Sequence, residues 1–597
     1  MTVTKAQTEF PTSDLIEVDK TLESMRDSGF DLATASGEVV DNSYEADATV
    51  VRIRTTEKNI PIQGKKKSKT KRSKVVESIA FADNGHGIPY EILPSTLKLG
   101  FSTRYNQRNG LGRFGVGMKL AAISQARRID IYTKPLGSKN YYHAYLDLDE
   151  VSKGRQTLIQ VKDVEGYPPE YSDLMQYPQG SKHPKEGESF ESGTLVVWSK
   201  VDRLIDGGKY GSAIQERMQE LTKFLARAYR HFIDTGFYIE LNGKYITLHD
   251  PLFLLNNPRV IDNFDKNLQS KVVDEGDIEI DSEKVHIKVT LYPEEFRQIK
   301  GQGGKDKHPV TKEEDPRLRG LYIPDNKGRI SVVRNGREIY YDIVPKLLPY
   351  GVNDIDRFIG IEVSFPAILD EYLQVRHVKR GAEPVSKLRE ELKDFLRRPI
   401  DAARREIRSL WRGIETANRN KSKEHEQAEK AVQKAEETLP CGQGGMNLDA
   451  QAGEKALTDL LLDLGIDPQK NPESAEELKQ RLQELPITIV DASWPGKELF
   501  ELTHLNGKAT IRINHRHPFI QEVYDPLKDL ARRDSSTITA EEAIHIARKA
   551  EIGLDILFMA YAKAENMNSD PDGVYGDLRT YWGQHAYAYS REALSDK

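Results

Sequence analysis

The chain has 597 residues, 38% of them apolar and 30% charged, with a formal net charge of -6. That length suggests roughly three or four domains, no apolar run reaches the ~18 residues of a membrane-spanning helix, and the near balance of charge means that any nucleic-acid contact must come from a local patch. A single cysteine, Cys441, excludes an internal disulfide and a cysteine-cluster zinc site, and an opening MTVTKAQTEF without a basic-then-apolar signal points to the cytoplasm, or to the nucleoid or nucleus if the chain handles chromosomes.

Residues 10–30 carry Leu15, Ile16, Leu22 and Met25 at helical spacing, which predicts a short leading helix. GEVVDNSYEADA (37–48) predicts a second helix starting near Ser36 and Gly37. Val39, Val40 and Ala46 face inward, and Glu38, Asp41, Asn42 and Glu45 share the other face. Such an acidic face is either plain solvation or a site. A carboxylate and an amide one turn apart can orient a water and ligate a hard cation such as magnesium.

Val50–Thr55 alternates as a strand, and strand character resumes at Val75–Phe81. Between them lies a basic run in which Lys65, Lys66, Lys67, Lys69, Lys71, Arg72 and Lys74 occupy seven of ten positions with no acid among them. The run is either a mobile connection or a contact for the phosphate backbone of DNA or RNA. Asp83-Asn84-Gly85-His86-Gly87 follows the strand directly. Its glycines let a flat ligand approach the backbone, and Asp83 can accept a hydrogen bond from an exocyclic amine, although turns favour these residues in any case.

Gly100-Phe101-Ser102-Thr103-Arg104 leads into a loop with Gly110, Gly112, Gly115 and Gly117. No Gly-Lys-Ser/Thr ends it, so it is not a P-loop. The helix expected from Lys119 to Gln125 would turn its N-terminal amides toward phosphate oxygens. Further strands are expected at 129–133, 141–148, 158–161, 193–198 and 237–241, with a helix at 215–232 and a loop at 164–190. A second domain from about residue 250 has expected strands at 285–292, 320–323, 330–334 and 358–365. LDEYLQVRHVKRG (369–381) is a basic loop suited to an anion. Residues 385–436 read as helix, kinked or broken at Pro399. Beyond a glycine linker at 442–445, helices are expected at 456–464, 475–485, 540–564 and 581–594, with a hairpin at 500–513 turning at Asn506-Gly507.

In this order and spacing, EVVDNSYEAD, FADNGHGIPYEILPSTLKLGFS, LGRFGVGMKLAAISQ and GTLVVWSKVDRL resemble the GHKL superfamily of gyrase, the MutL repair proteins, the Hsp-type chaperone ATPase and histidine kinases. They look most like MORC ATPases and their prokaryotic relatives, over about residues 15–385. The resemblance implies an α/β-sandwich ATPase domain (1–245), a transducer-like α/β domain (246–398), a helical stalk (399–440) and an α+β C-terminal domain (441–597). It implies ATP and Mg2+ as ligands and these roles: Glu38 as general base, Asn42 as magnesium ligand, Asp83 on the adenine amine with Gly85 and Gly87 making room, and Gly112, Gly115 and Gly117 wrapping the phosphates. Ser102, Thr103, Phe114, Val116, Met118 and Lys119 complete the nucleotide site. Thr194 would support Asp83 and the adenine through water, and Lys379 would sense the γ-phosphate.

The pattern departs from the family at Glu45, where many members have Asp, and at Lys379-Arg380-Gly381, which leaves Arg376, Lys379 and Arg380 as alternative sensors. The cysteines of the zinc finger found in many animal MORC proteins are absent. The implied function is an ATPase that forms a homodimer on binding ATP and clamps duplex DNA through its basic loop, with protein partners at the stalk and C-terminal domain. A chaperone-like ATPase and a regulatory module with little turnover are the alternatives; a sensor kinase lacks support, because the transducer and lysine loop are not kinase features.

Overall fold

A computed structural model describes residues 17–594 except 28, 64–69, 99–116, 182, 205–212, 301–305, 308–313, 374–383, 422–424, 495 and scattered positions between 441 and 471. The chain divides into two units. One comprises Met1–Arg297 with Asp315–Arg404, and the other Gln298–Glu314 with Arg405–Lys597.

The first unit is built on an eight-stranded sheet: β1 (Val50–Gln63), β2 (Thr70–Asp83), β3 (Ala126–Lys134), β4 (Tyr141–Asp147), β5 (Lys162–Val164), β6 (Gly193–Val201), β7 (Tyr238–Leu241) and β8 (Lys244–Tyr245). Their order is β5-β4-β3-β6-β2-β1-β7-β8, antiparallel except where β1 meets β7. Both faces are covered, so the central strands read as continuous apolar runs rather than alternating ones. Along β2, Ile79 and Phe81 belong to the core under the helices, and Ala80 and Ala82 to the core on the other face.

The helices on that first face, in chain order, are α1 (Val18–Met25), α2 (Leu32–Glu45), α3 (Leu93–Thr96), α4 (Gly117–Gln125), α5 (Leu148–Ser152), α6 (Ile214–Ala228) and α7 (Arg230–Asp234). Val39 and Val40 of α2 pack there with Leu120–Ile123 of α4 and Leu221 and Leu225 of α6. On the opposite face the stretch expected as a loop at 164–190 closes the second core with Leu174, Met175 and Phe190.

The same unit holds a five-stranded sheet, in the order Arg337–Asp342, Ile330–Arg334, Ile359–Phe365, Glu283–Leu291, Lys271–Ile280. The 330–334 and 359–365 strands are parallel and the rest antiparallel. The second unit contains a three-stranded sheet, in the order Ile487–Ala492, Lys508–Asn514, Phe500–Leu505. Its hairpin turns at Asn506-Gly507 with φ of 49° and 77°, the conformation an Asn-Gly hairpin turn requires. The long helices Ala540–Glu565 and Pro571–Leu594 follow. Among the described residues no helix is long and apolar enough to cross a membrane.

Several expectations need correction. Helix α2 begins at Leu32, not near Gly37, because Asp31 and Thr34 form a capping box at its start. Strand β1 runs to Gln63 and β2 starts at Thr70, so Lys71, Arg72 and Lys74 sit on a paired strand opposite Ile62, Pro61 and Asn59 rather than in a loop. Residues 158–161 and 320–323 are not strands, and Leu158 is exposed. Strands not foreseen include Lys271–Ile280, Arg337–Asp342 and Ile487–Ala492. Pro399 neither ends nor interrupts the helix Ser386–Lys421.

Candidate functional site

Helix α2 sets the frame. Its N-terminus is fixed by Asp31, whose carboxylate accepts from the Thr34 amide at 2.8 Å while Thr34 Oγ1 accepts from the Asp31 amide at 3.2 Å. The acidic face of α2 is largely inside the protein: Glu38 is 8% exposed and Asp41 2%. Asn42, the remaining expected ligand on this face, is exposed, and Glu45 is half-buried.

The Glu38 carboxylate lies against the first residue of α4. A Cβ placed on Gly117 would stand 1.9 Å from Glu38 Oε2, so any larger residue there would have to push that carboxylate aside. Two residues on, Lys119 is buried and donates to the Lys98 carbonyl at 2.5 Å. Burial pushes its ammonium down to about 8, since desolvation disfavours the charged form. Met118 packs beside the core under the helices.

Asp41 is tied to distant parts of the chain. Its Oδ1 accepts from Arg337 Nε at 3.1 Å and lies 2.6 Å from the Tyr229 hydroxyl, which also reaches the Gly37 carbonyl at 2.8 Å. Arg337 belongs to the edge strand of the five-stranded sheet, so a buried ion pair fastens α2 to that sheet. Next to it, Glu338 accepts from Arg227 Nε at 2.6 Å and from Arg230 Nη1 at 3.1 Å, and the fully buried Arg230 also reaches Glu362 at 2.5 Å. Sequence reasoning missed Arg337, Tyr229 and Arg230. No local pattern marks them, because their partners are more than a hundred residues away.

At the other end of α2, Ser43 Oγ donates to Asp83 Oδ2 at 2.9 Å. Asp83 closes β2 and faces Thr194 directly across on β6. Its Oδ1 accepts from the Gly85 amide at 3.0 Å and from the Thr194 amide at 3.2 Å, so Thr194 supports it through the backbone. Burial raises the Asp83 carboxyl, opposed by these three hydrogen bonds. Gly87 has φ +70°, and a Cβ there would meet the Lys134 carbonyl at 2.4 Å. A Cβ on Gly85 would stand 2.7 Å from the Ala46 carbonyl. One helix thus carries Glu38 at its centre and holds Asp83 near its end, with glycine turns on both sides.

Ser102, Thr103, Gly112, Phe114, Gly115, Val116 and Lys379, with the alternative sensors Arg376 and Arg380, lie outside the described residues, as do Lys65, Lys66, Lys67 and Lys69. Lys74 pairs with Glu57 at 3.0 Å.

Residues 30–177 match the family model described as "Histidine kinase-, DNA gyrase B-, and HSP90-like ATPase". Among solved structures, one titled "Crystal Structure of N terminal domain of a DNA repair protein" aligns at 16% identity with a TM-score of 0.37, over 66% of this chain and 100% of that one. No curated protein matches the chain, so no named relative supports the MORC likeness. The match over residues 30–177 is to a GHKL-type ATPase domain, consistent with the mixed α/β fold, and supports ATP as its ligand.

Proposed function

We propose that the chain is a magnesium-dependent ATPase acting as an ATP-gated dimeric clamp on duplex DNA, in genome defence or chromosome handling. The observation that carries the catalytic half is the α2 geometry: Glu38 buried against Gly117, and Asp83 held by Ser43 five residues further along the same helix. In this reading Asp83 receives the adenine amine and the Gly117 end of α4 receives the phosphates. The Glu38 carboxylate takes the proton of a water whose oxygen bonds the γ-phosphorus. The bond from that phosphorus to the bridging oxygen breaks, giving ADP and phosphate. Asn42, exposed one turn from Glu38, is a single oxygen donor, which suits an ion that arrives on the nucleotide's phosphates and keeps most of its other ligands. Magnesium there would neutralise phosphate charge.

The clamp half rests on the basic run at 65–74. Cationic side chains displace counterions from a phosphate backbone without regard to base sequence. γ-Phosphate contacts from the glycine loop and Lys379 would order both in the ATP state and release them after hydrolysis, a phosphate-held switch. The test is the ATPase rate with and without duplex DNA, in the native chain and in a variant with Lys65, Lys66, Lys67, Lys69, Lys71, Arg72 and Lys74 replaced by Ser. The native rate should rise with DNA. The variant should keep its basal rate, lose the stimulation and bind duplex with a flatter salt dependence. Equal DNA affinity and salt slope in both proteins would remove DNA from the account and leave a protein client or a low-turnover module.

A further inference from the structure

Helix α6 turns two cations the same way. Lys223 and Arg227 stand four residues apart, so they share one face. Together with Arg329, which directly precedes the 330–334 strand, they line a cavity of about 250 Å³ in the first unit. Two tyrosines in its wall hold the cations in place. The Tyr322 ring centroid is 4.5 Å from Lys223 Nζ and 5.4 Å from the Arg259 guanidinium, and the Tyr341 centroid is 4.2 Å from that of Arg227 and 5.6 Å from that of Arg329. Tyr322 adopts φ +55°, a left-handed backbone that a bulky side chain rarely takes.

Cations outnumber acids here. Asp325, 2.7 Å from Lys223, is the one carboxylate in the wall among the described residues. Glu338 is divided between Arg227 and Arg230, and Asp342 lies 3.7 Å from Arg329 with its side chain 61% exposed. His249 completes the wall. It is 5% exposed, and its Nδ1 has no hydrogen-bond partner among the described residues. Burial, reinforced by Arg227, Arg259, Arg230 and Lys223, holds its imidazole well below the usual histidine range, so the ring is neutral and carries one N–H to donate. Arg259 Nη1 is also buried without a partner. Buried polar groups are nearly always satisfied, so two orphan nitrogens beside one cationic cavity point to an occupant. Water would satisfy the nitrogens and leave the excess positive charge unmet.

We propose that this cavity binds a compact phosphate anion, phosphate or pyrophosphate, between α6 and the five-stranded sheet. Guanidinium forks match phosphate oxygens in pairs, and Lys223 adds a point charge. The volume falls below the ~300–1,000 Å³ of pockets that take drug-sized ligands, so the occupant is small. His249 is buried and the Arg227 side chain is 18% exposed. Donors recessed in this way suit a free anion rather than the phosphates of a duplex.

The site does not depend on the ATPase reading, and it is tested without nucleotide. Titration calorimetry of the full chain with sodium phosphate, and separately with sodium pyrophosphate, at ionic strength matched with chloride, should show binding, and the tighter of the two identifies the occupant. Lys223→Gln and Arg329→Gln, both at partly exposed positions, should melt as the native chain does without anion and each weaken binding by about 10-fold or more. Arg329→Lys keeps the charge and loses the fork, so its affinity should fall between the two. No binding by the native chain at millimolar anion would overturn the proposal. Equal affinity in the native chain and both Gln variants would overturn it too, by placing the anion elsewhere. A short DNA duplex titrated in the same way separates the sources: duplex binding that the Gln variants lose, with no binding of either free anion, would assign these cations to nucleic acid and overturn the proposal as well.

Discussion

Replacing Arg337 with Met would leave the Asp41 carboxylate buried with its ion-pair partner gone. Both side chains are 3% exposed, and their atoms approach to 3.1 Å. Breaking such a pair from one side typically costs about 3–5 kcal/mol, because the remaining charge stays desolvated. Tyr229 continues to hold Asp41 at 2.6 Å, so the lower end of that range, about 3 kcal/mol, is expected. Asp41→Leu should cost a similar amount by stranding the Arg337 guanidinium. In the double variant both charges are gone, and most of the loss should return as a coupling of about 2 kcal/mol or more. Denaturant unfolding of the four proteins measures this cycle. Turnover should also fall in both single variants, because Asp41 lies less than one helical turn from Glu38 on α2. Single losses that simply add in the double variant, with coupling below about 0.5 kcal/mol, would refute the fastening of α2 to the second sheet.

Two further outcomes follow from the same geometry. Gly117→Ala would force a methyl group to 1.9 Å from Glu38 Oε2; moving the carboxylate aside should lower turnover by about 10²-fold, the low end of what a positioned base contributes, with the melting temperature little changed, and a variant hydrolysing ATP at the native rate would break the assigned contact. Lys119 binds its proton less tightly folded than unfolded, at about 8 against an ordinary 10.5. Between those values the unfolded chain holds the extra proton, so this group makes stability rise with pH there. Stability measured at pH 8 and at pH 10 should rise for the native chain relative to Lys119→Met, and an equal change in both proteins would remove Lys119 from the pH dependence.

The sequence made much of this visible where the signal is local. The Asp83 turn directly after a strand and the Asn506-Gly507 hairpin are set by neighbouring residues, and the structure has both. The choice between solvation and a site for the acidic face of α2 stayed open in the sequence because its partner Arg337 is 296 residues from Asp41. The helix start was placed late because the capping box at Asp31 and Thr34 went unread. Pro399 was expected to kink or break its helix, since a proline in a helix interior costs about 3 kcal/mol. Leu388, Leu392, Leu396, Ile400 and Ala403 instead bury one continuous stripe through it, and that packing outweighs the lost hydrogen bond. The basic run was taken for a loop because cations disfavour no particular backbone, whereas β1 and β2 extend their pairing through Gln63 and Thr70.

The central claim is that the buried Glu38 carboxylate activates water at an ATP site. The most direct measurement is ATP affinity and turnover side by side in Glu38→Ala. Affinity should stay within a few-fold of the native chain while turnover falls by ~10²–10⁴-fold. Hydrolysis at the native rate in that variant would contradict the account.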